Sequence, residues 1–393
     1  MQSTITPAKQ QSKIHRLSAY NRPILYAGFA ATGICVALPG ALMPWLLVHW
    51  SLQDSQAGIL LFLFFLGNTS GALISRGRLK GSIVRGSACV ALGAALLPFA
   101  SHAAAYAAIL IYGLGLGIVM TSISLFQSRR WSDDCAAELT RLNLIWAIGA
   151  CTGPWLVLHD GIRNEMHNQR VLIALAAAFA FFGIWVMLFE QEPPAPVRSQ
   201  QTTTRWGVLA APLALLVMVF CATGVESSCG GWLATYSQRS GHPLGVTIGA
   251  PTCFWAGLLT SRVLHSSARI GRASKQFLLT WNLAAMVAAV ATLILARHSE
   301  TTLVAAFVVG FAAGPMYPLL LSLVYKYDSG NKTYVLAGLG AASLPLMTGI
   351  LSTASGSLRA GLAAPFAAAT AMAIAGSVIS RANKINELKP RTY

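Results

Sequence analysis

The sequence predicts an all-α membrane protein: twelve transmembrane helices forming two six-helix bundles related by a pseudo-two-fold axis. Three observations point there, namely the composition, the placing of Lys and Arg along the chain, and an internal repeat across a polar midpoint. Apolar residues make up 55% of the 393 and charged residues only 10%, with a mean hydropathy of +0.60. A soluble domain carries roughly a quarter charged residues. A bilayer core of about 30 Å needs roughly 20 apolar residues per helix. A dozen such helices use most of this chain and leave only short connections, which excludes a large extramembrane domain.

Apolar stretches between polar breaks place the helices near 24 to 48, 54 to 75, 83 to 100, 103 to 126, 142 to 160, 171 to 189, 208 to 237, 244 to 264, 276 to 297, 302 to 325, 333 to 353 and 361 to 381. Some breaks are weak, such as Ser101 and His102, or Gly356 to Arg359. The expected organisation is a tail over 1–23, a bundle over 24–189, a linker over 190–206, a second bundle over 207–381 and a tail over 382–393. About twenty polar residues precede a full-length first apolar run, so that helix is expected to be retained rather than cleaved.

Positive charge is retained in cytoplasmic loops. The N-terminal tail, the even-numbered loops and the C-terminal tail hold 23 of the 28 Lys and Arg, whereas the alternate loops hold Arg163, Arg170, Arg239, Arg297 and Arg359. Both termini are therefore expected in the cytoplasm, with the chain in a bacterial inner membrane. The net charge of +16 then reports topology, and no nucleic-acid partner is expected, because that would need basic residues gathered on a soluble face. The seven cysteines show no CxxC spacing and lie mostly in apolar runs, which reads as small-residue packing rather than metal or disulfide chemistry. No metal or cofactor is expected. Neither HExxH nor GxSxG occurs, and no acidic dyad or His pair lies within a span, so an enzyme is not expected.

The segment 190–206, EQEPPAPVRSQQTTTRW, reads as a linker between halves. Across it, Gly71-Ala-Leu73-Ile-Ser75-Arg76 matches Gly257-Leu-Leu259-Thr-Ser261-Arg262, Trp45-Leu46 matches Trp232-Leu233, and Gly113 and Gly117 match Gly310 and Gly314. A parallel duplication of six spans puts the two-fold axis along the membrane normal and a cavity between the halves.

GALISRGRLK, at residues 71–80, resembles the loop 2–3 signature of the major facilitator superfamily, with Ser75 where an acid is usual and the spacing to Gly77-Arg78 one residue short. The fifth span, Arg141-Leu-Asn143-Leu-Ile-Trp146 through Gly149, Gly153 and Pro154, is similar to the LLNxxFGxGAxxGPxLV stretch of the fucose permease, glucose/galactose and sodium-dependent glucose transporter branch. Glu226-Ser-Ser-Cys-Gly230-Gly231-Trp232-Leu-Ala-Thr-Tyr236 resembles that branch's E-x-x-x-G-G-W-x-x-x-Y, and Gly314-Pro315-Met-Tyr317-Pro318 agrees. The resemblance implies the major facilitator fold and alternating-access transport of a small polar solute, a sugar or polyol, coupled to protons or sodium. An efflux antiporter for an amphipathic compound and a non-transporting receptor or scaffold are the alternatives. Gly40 and Met120 occupy positions where the fucose permease carries acids, so coupling through those positions is not expected.

Glu226 is the one acid deep within a span, where an ionisable group costs at least about 2.5 kcal/mol without a partner or a function. It is the candidate for the coupling proton or ion, or for a structural carboxylate. A break of the helix at Gly230-Gly231 would expose carbonyls beside it. Trp232, Asn143, Tyr236, Trp146, Thr121, Ser124, Asn68, Trp255 and Tyr317 are candidates for binding the solute, since a sugar needs an aromatic platform and a rim of polar partners; Asn282 is the weakest. Each can instead mark an interface belt or join helices. Arg76, Arg78 and Arg262, at equivalent ends of the two halves, are candidate gating residues with Asp133, Asp134 or Glu138 as partners, or plain topology charges. The expected partners are the solute, a proton or sodium ion and the bilayer, and the expected state is a monomer.

Overall fold

The computed structural model describes residues 7–75, 77–158, 164–194, 210–266, 275–324 and 332–388. The helices are α1 (Pro7–His49), α2 (Asp54–Ile74), α3 (Leu79–Leu96), α4 (His102–Arg130), α5 (Cys135–Leu158), α6 (Glu165–Phe189), α7 (Ala210–Arg239), α8 (Leu244–Ser266), α9 (Lys275–Leu295), α10 (Ser299–Ala313), α11 (Met316–Val324), α12 (Lys332–Ser355), α13 (Leu358–Gly361) and α14 (Ala363–Leu388). The first nine correspond to the first nine expected spans. The tenth is interrupted at Gly314-Pro315 into α10 and α11, the eleventh is α12, and the twelfth is the short α13 followed by α14. Among the described residues eleven stretches are long and apolar enough to cross a bilayer; α5, which carries Glu138 and Arg141 in its first two turns, supplies the twelfth.

Two boundaries differ from expectation. Helix α1 already runs from Pro7, through most of the segment expected to be a tail, although its apolar part begins at Arg22. The linker's first residues are held against the first half: Glu190 is buried and takes a 2.5 Å hydrogen bond from Arg130, and Glu192 accepts from the amides of Leu79 and Lys80 at 2.6 and 2.8 Å. A carboxylate at the start of α3 caps free N–H groups and meets the positive end of the helix dipole. Residues 195–209, the rest of the linker, lie outside the described residues.

Within the first half α1 packs on α5, α2 and α3 pack on α4, and α3 packs on α6; in the second, α7 packs on α12 and α14, α8 on α10, and α9 on α10 and α14. Large apolar side chains such as Phe181, Met187 and Leu188 on α6 and Trp281 on α9 stay exposed, a surface suited to lipid rather than water. Close approach relies on glycine, and the matching glycines do matching work. A Cβ at Gly113 or Gly117 would strike the carbonyls of Phe64 or Asn68 on α2, and one at Gly310 would strike that of Phe254 on α8. Gly117→Leu is expected to cost about 1–3 kcal/mol through overpacking, seen as a lower melting temperature in detergent; an unchanged melt would mean α2 and α4 have room to spare. Gly77, with φ of +85°, makes the turn between α2 and α3 that a side chain would strain.

Two of the prolines inside helices, Pro39 and Pro345, are compensated by side chains from neighbours. Pro345 has no N–H for the carbonyl of Ala341, and the Ser227 hydroxyl on α7 donates to that oxygen at 2.8 Å. Likewise the Tyr112 hydroxyl donates to the Cys35 carbonyl that Pro39 leaves free. Ser227 belongs to a seam in which Thr223 donates to the Ala337 carbonyl at 2.7 Å, Ser228 pairs with Thr348 at 2.7 Å, and the Trp232 indole donates to the Pro345 carbonyl at 2.9 Å.

A buried polar hub fixes the end of the first half that carries the N-terminus. Glu138, fully buried, takes hydrogen bonds from Arg22, from Tyr26 at 2.7 Å, and from Gln127 and Arg141 at 3.2 Å each. It precedes the apolar run of the fifth span. Burial alone would push its carboxyl up, but the Arg22 and Tyr26 donors, with Arg141, outweigh burial and hold it below the ordinary carboxylate range. A carboxyl lowered on folding contributes stability above its unfolded pKa of about 4.3. That contribution is lost as pH falls through the folded value. Between pH 7 and 3 the melting temperature should therefore fall more steeply for the native chain than for Glu138→Gln; parallel curves would remove this role from Glu138.

Candidate functional site

Three pairs of helices join the halves: α1 with α7, α2 with α12, and α5 with α8. Helix α4 packs on α1, α2, α3 and α5, and α10 and α11 pack on α7, α8 and α9, so these inner helices find their main neighbours in their own halves. Helix α7 continues through Gly230 and Gly231 without the expected break. Those glycines instead allow contact with the first half: a Cβ on Gly40 would collide with the Gly230 carbonyl, and one on Gly231 would press on Leu61 at 2.8 Å.

Where α5 meets α8, three side chains converge, and the charge of Glu226 on α7 reaches one of them. The Arg262 guanidinium lies over the Trp146 ring, 5.0 Å from its centroid. Trp146 in turn meets Trp255 edge to face, with ring centroids 5.8 Å apart. Both tryptophans are more than nine-tenths buried, and both indole N–H groups lack an acceptor. Glu226 on α7 and Arg262 on α8 are half-buried. The charge of each acts on the other, yet no ion pair or hydrogen bond joins them among the described residues. The cluster thus combines a cation over an aromatic face, a carboxylate whose charge acts on that cation, and two further donors, at the seam between the halves.

The other sequence candidates divide. Trp232 and Tyr236 are both buried, and their donors are used by the carbonyls of Pro345 and Leu293. Within this motif Trp232 joins α7 to α12, Tyr236 joins α7 to α9, and Gly230 and Gly231 face the first half. Asn143 is exposed on α5, one turn from Trp146 and on the same side. Thr121, Ser124, Asn68 and Tyr317 are half-buried, and Ser124 donates to the Met120 carbonyl at 2.8 Å. Asn282 is buried, bonded within α9 to the Leu278 carbonyl at 2.7 Å.

The gating candidates also change. Arg262 pairs with neither Asp134 nor Glu138 among the described residues and lies over Trp146 instead; the side chain of Asp133 lies outside the described residues. Glu138 is taken by Arg22, Tyr26, Gln127 and Arg141, and Asp134 pairs with Arg141 at 3.3 Å. Arg78 is exposed at the start of α3, and Arg76 lies outside the described residues. Ser75, in place of the acid, bonds to Ser122 on α4 at 2.5 Å, within its own half.

An ion pair between the halves lies instead at the opposite end, away from the termini. Asp54, at the start of α2, takes two hydrogen bonds from Arg239, at the end of α7, of 2.5 and 2.7 Å, and a third from Ser352 on α12 at 2.5 Å. Beside it the Ser55 amide donates to Thr353 at 2.8 Å. Sequence reasoning missed this contact, having counted Arg239 only as a loop charge.

Twelve helices in two packed halves, with a charged and aromatic cluster at the seam and an ion-paired closure at one end, define a multi-pass membrane transport protein. The chain belongs to the Major Facilitator Superfamily, whose signature matches residues 139–335, and it is a transporter rather than an enzyme. It is 24% identical over 323 residues to the uncharacterized MFS-type transporter YcaD of Escherichia fergusonii, covering 78% of this chain and 81% of that one. Among solved structures it resembles a bacterial homolog of the human lysosomal transporter Spinster in an inward-facing, occupied conformation (TM-score 0.70, 13% identity, 93% of this chain and 97% of that one). It also resembles the nucleoside transporter NupG (0.69, 14%, 93% and 98%) and FucP in an outward conformation (0.57, 18%, 90% and 98%).

Proposed function

We propose that the chain is a proton-coupled secondary transporter that carries a small polar solute, of the sugar or polyol class, by alternating access of its two halves. The observation that carries this is the cluster of Glu226, Arg262, Trp146 and Trp255 at the α5–α8 seam. A sugar offers flat apolar ring faces and a rim of hydroxyls, which suit an aromatic wall edged by a carboxylate and a guanidinium. Glu226 is the coupling site in this reading. A proton needs one carboxylate, whereas a metal cation seeks several oxygen ligands at once.

The termini face the cytoplasm, as the skew of Lys and Arg argues, the membrane is a bacterial inner membrane, and the protein works as a monomer. The Asp54–Arg239 closure is then on the outer side, and the described conformation is shut outward. Asn143, Asn68, Thr121 and Tyr317 are further candidates for the solute's path.

Uptake into proteoliposomes under an imposed proton or sodium gradient tests this. Accumulation of a sugar or polyol is expected with the proton gradient and not with sodium alone. The aromatic pair Trp146 and Trp255 also suits an amphipathic cargo, the basis of a second reading as an efflux antiporter. Proton-driven export of such a compound, with no sugar uptake, would establish that reading instead.

A further inference from the structure

The donors at the α5–α8 seam outnumber the acceptors. Arg262 carries five N–H donors and stays charged at every physiological pH, yet in the described structure its guanidinium meets only the Trp146 ring, at 5.0 Å. The Trp146 and Trp255 indoles add two buried N–H groups with no acceptor. Against these stands one carboxylate, Glu226. Helix α7 packs on α1, α8, α10, α11, α12, α13 and α14, and among the described charged groups on those helices Arg262 is the one whose charge acts on Glu226. His265, one turn beyond Arg262, turns its Nδ1 to Ser261 of its own helix, while its Nε2 is buried without a partner among the described residues. Arg22 on α1 is held by Glu138, and Arg359 on α13 by the Ala296 carbonyl.

We infer that this site takes a solute bearing one carboxylate or an equivalent single negative charge, bound by Arg262 and the two indole N–H groups, and that each anion travels with one proton on Glu226. The inference rests on the reading of this cluster as the transport site and puts a hydroxylated or aromatic monoanion in place of the neutral sugar as its solute. Charge balance sets the stoichiometry. With no solute bound, Glu226 ionised and Arg262 charged sum to zero. An anion placed against Arg262 would leave one net negative charge in a low-dielectric site, at a cost of several kcal/mol. A proton taken from solution onto a Glu226 carboxylate oxygen restores zero. The loaded and empty sites are therefore both neutral, and release of the anion on the far side returns the proton there. Charge-assisted hydrogen bonds also discriminate more than neutral ones do, so a hydroxyl in place of the carboxylate should weaken binding about tenfold to a hundredfold.

Matched pairs that differ in one charged group test this with the full chain: glucose with glucuronate, glycerol with glycerate, and benzyl alcohol with benzoate. In detergent, the anionic member of at least one pair should raise the melting temperature saturably while its neutral partner does not. In proteoliposomes, uptake of that anion should acidify the lumen and be indifferent to a membrane potential set with potassium and valinomycin. Arg262→Gln should remove the anion-specific stabilisation, and Arg262→Lys, which keeps the charge without the planar fork, should keep part of it. A variant that does not fold is set aside in favour of the other, each judged by its ligand-free melt. Neutral members binding as well as the anions, an anion shift that survives Arg262→Gln, or uptake that carries net charge would each overturn the inference. Proton-driven accumulation of a neutral sugar would overturn it while leaving the transporter reading intact. No response to any member of any pair, with no uptake, would overturn both.

Discussion

Glu226→Gln is expected to convert gradient-driven accumulation into simple equilibration. One pH unit across the membrane is worth about 1.4 kcal/mol per proton, so one-to-one coupling supports about tenfold accumulation of a neutral solute, and the Gln variant should settle near onefold. Glutamine keeps the size and much of the hydrogen bonding of the carboxylate but cannot load and unload a proton. Solute exchange between two equal compartments should therefore persist in Glu226→Gln, while its dependence on pH disappears. Accumulation with the native pH dependence in the variant would remove Glu226 from the coupling role and leave it as a structural partner of Arg262.

Asp54→Ala should unfasten the end of the molecule opposite the termini. Asp54 is buried and takes two hydrogen bonds from Arg239 and one from Ser352, so a single carboxylate joins α2 to both α7 and α12. Truncating one partner of a buried, hydrogen-bonded charge pair costs about 2–5 kcal/mol. The Arg239 side chain is 44% exposed, which places this pair at the lower end. A bias of about 2 kcal/mol shifts the balance between conformations roughly 30-fold. Leu61 is sealed beneath the closure against Gly231. A cysteine placed there should react with maleimide much faster in the Asp54→Ala background, with the labelled site mapped by mass spectrometry. Equal labelling rates would mean that apolar packing along α2 and α12 closes this end without help from the ion pair.

The fold was legible because it rests on one-dimensional signals. Apolar runs of membrane length and glycines at matched places in the two halves reported helices and repeat alike, and Gly113, Gly117 and Gly310 are where backbones touch. The site was legible in part. Glu226 stood out because a lone acid in a long apolar run has no cheap explanation. Arg262 lay inside the range drawn for the eighth span, yet its place near the span's end made it read as a loop charge. Its long side chain, turned onto Trp146, was not visible from spacing. For Trp232 and Tyr236 the sequence left two roles open, because the features that suit them to a sugar, a flat body and a polar tip, also suit them to the carbonyl bonds they make between helices. The Asp54–Arg239 pair joins residues 185 positions apart, and no local pattern announces such a contact.

The glycine contact between α1 and α7 has a mechanical consequence. Gly40 meets Gly230 with no side chain between the two backbones, so the halves touch there as two smooth rods and can roll on each other with little to unlock. This fulcrum is off centre. Along α1 it stands nine residues from His49 and eighteen from Arg22, arms of about 14 Å and 27 Å at 1.5 Å per residue. A rigid tilt about an off-centre fulcrum moves the long arm about twice as far as the short one. Parting the Asp54–Arg239 end by a few ångströms would thus swing the end beside the termini through about double that distance, so a small release at one face becomes a larger displacement at the other.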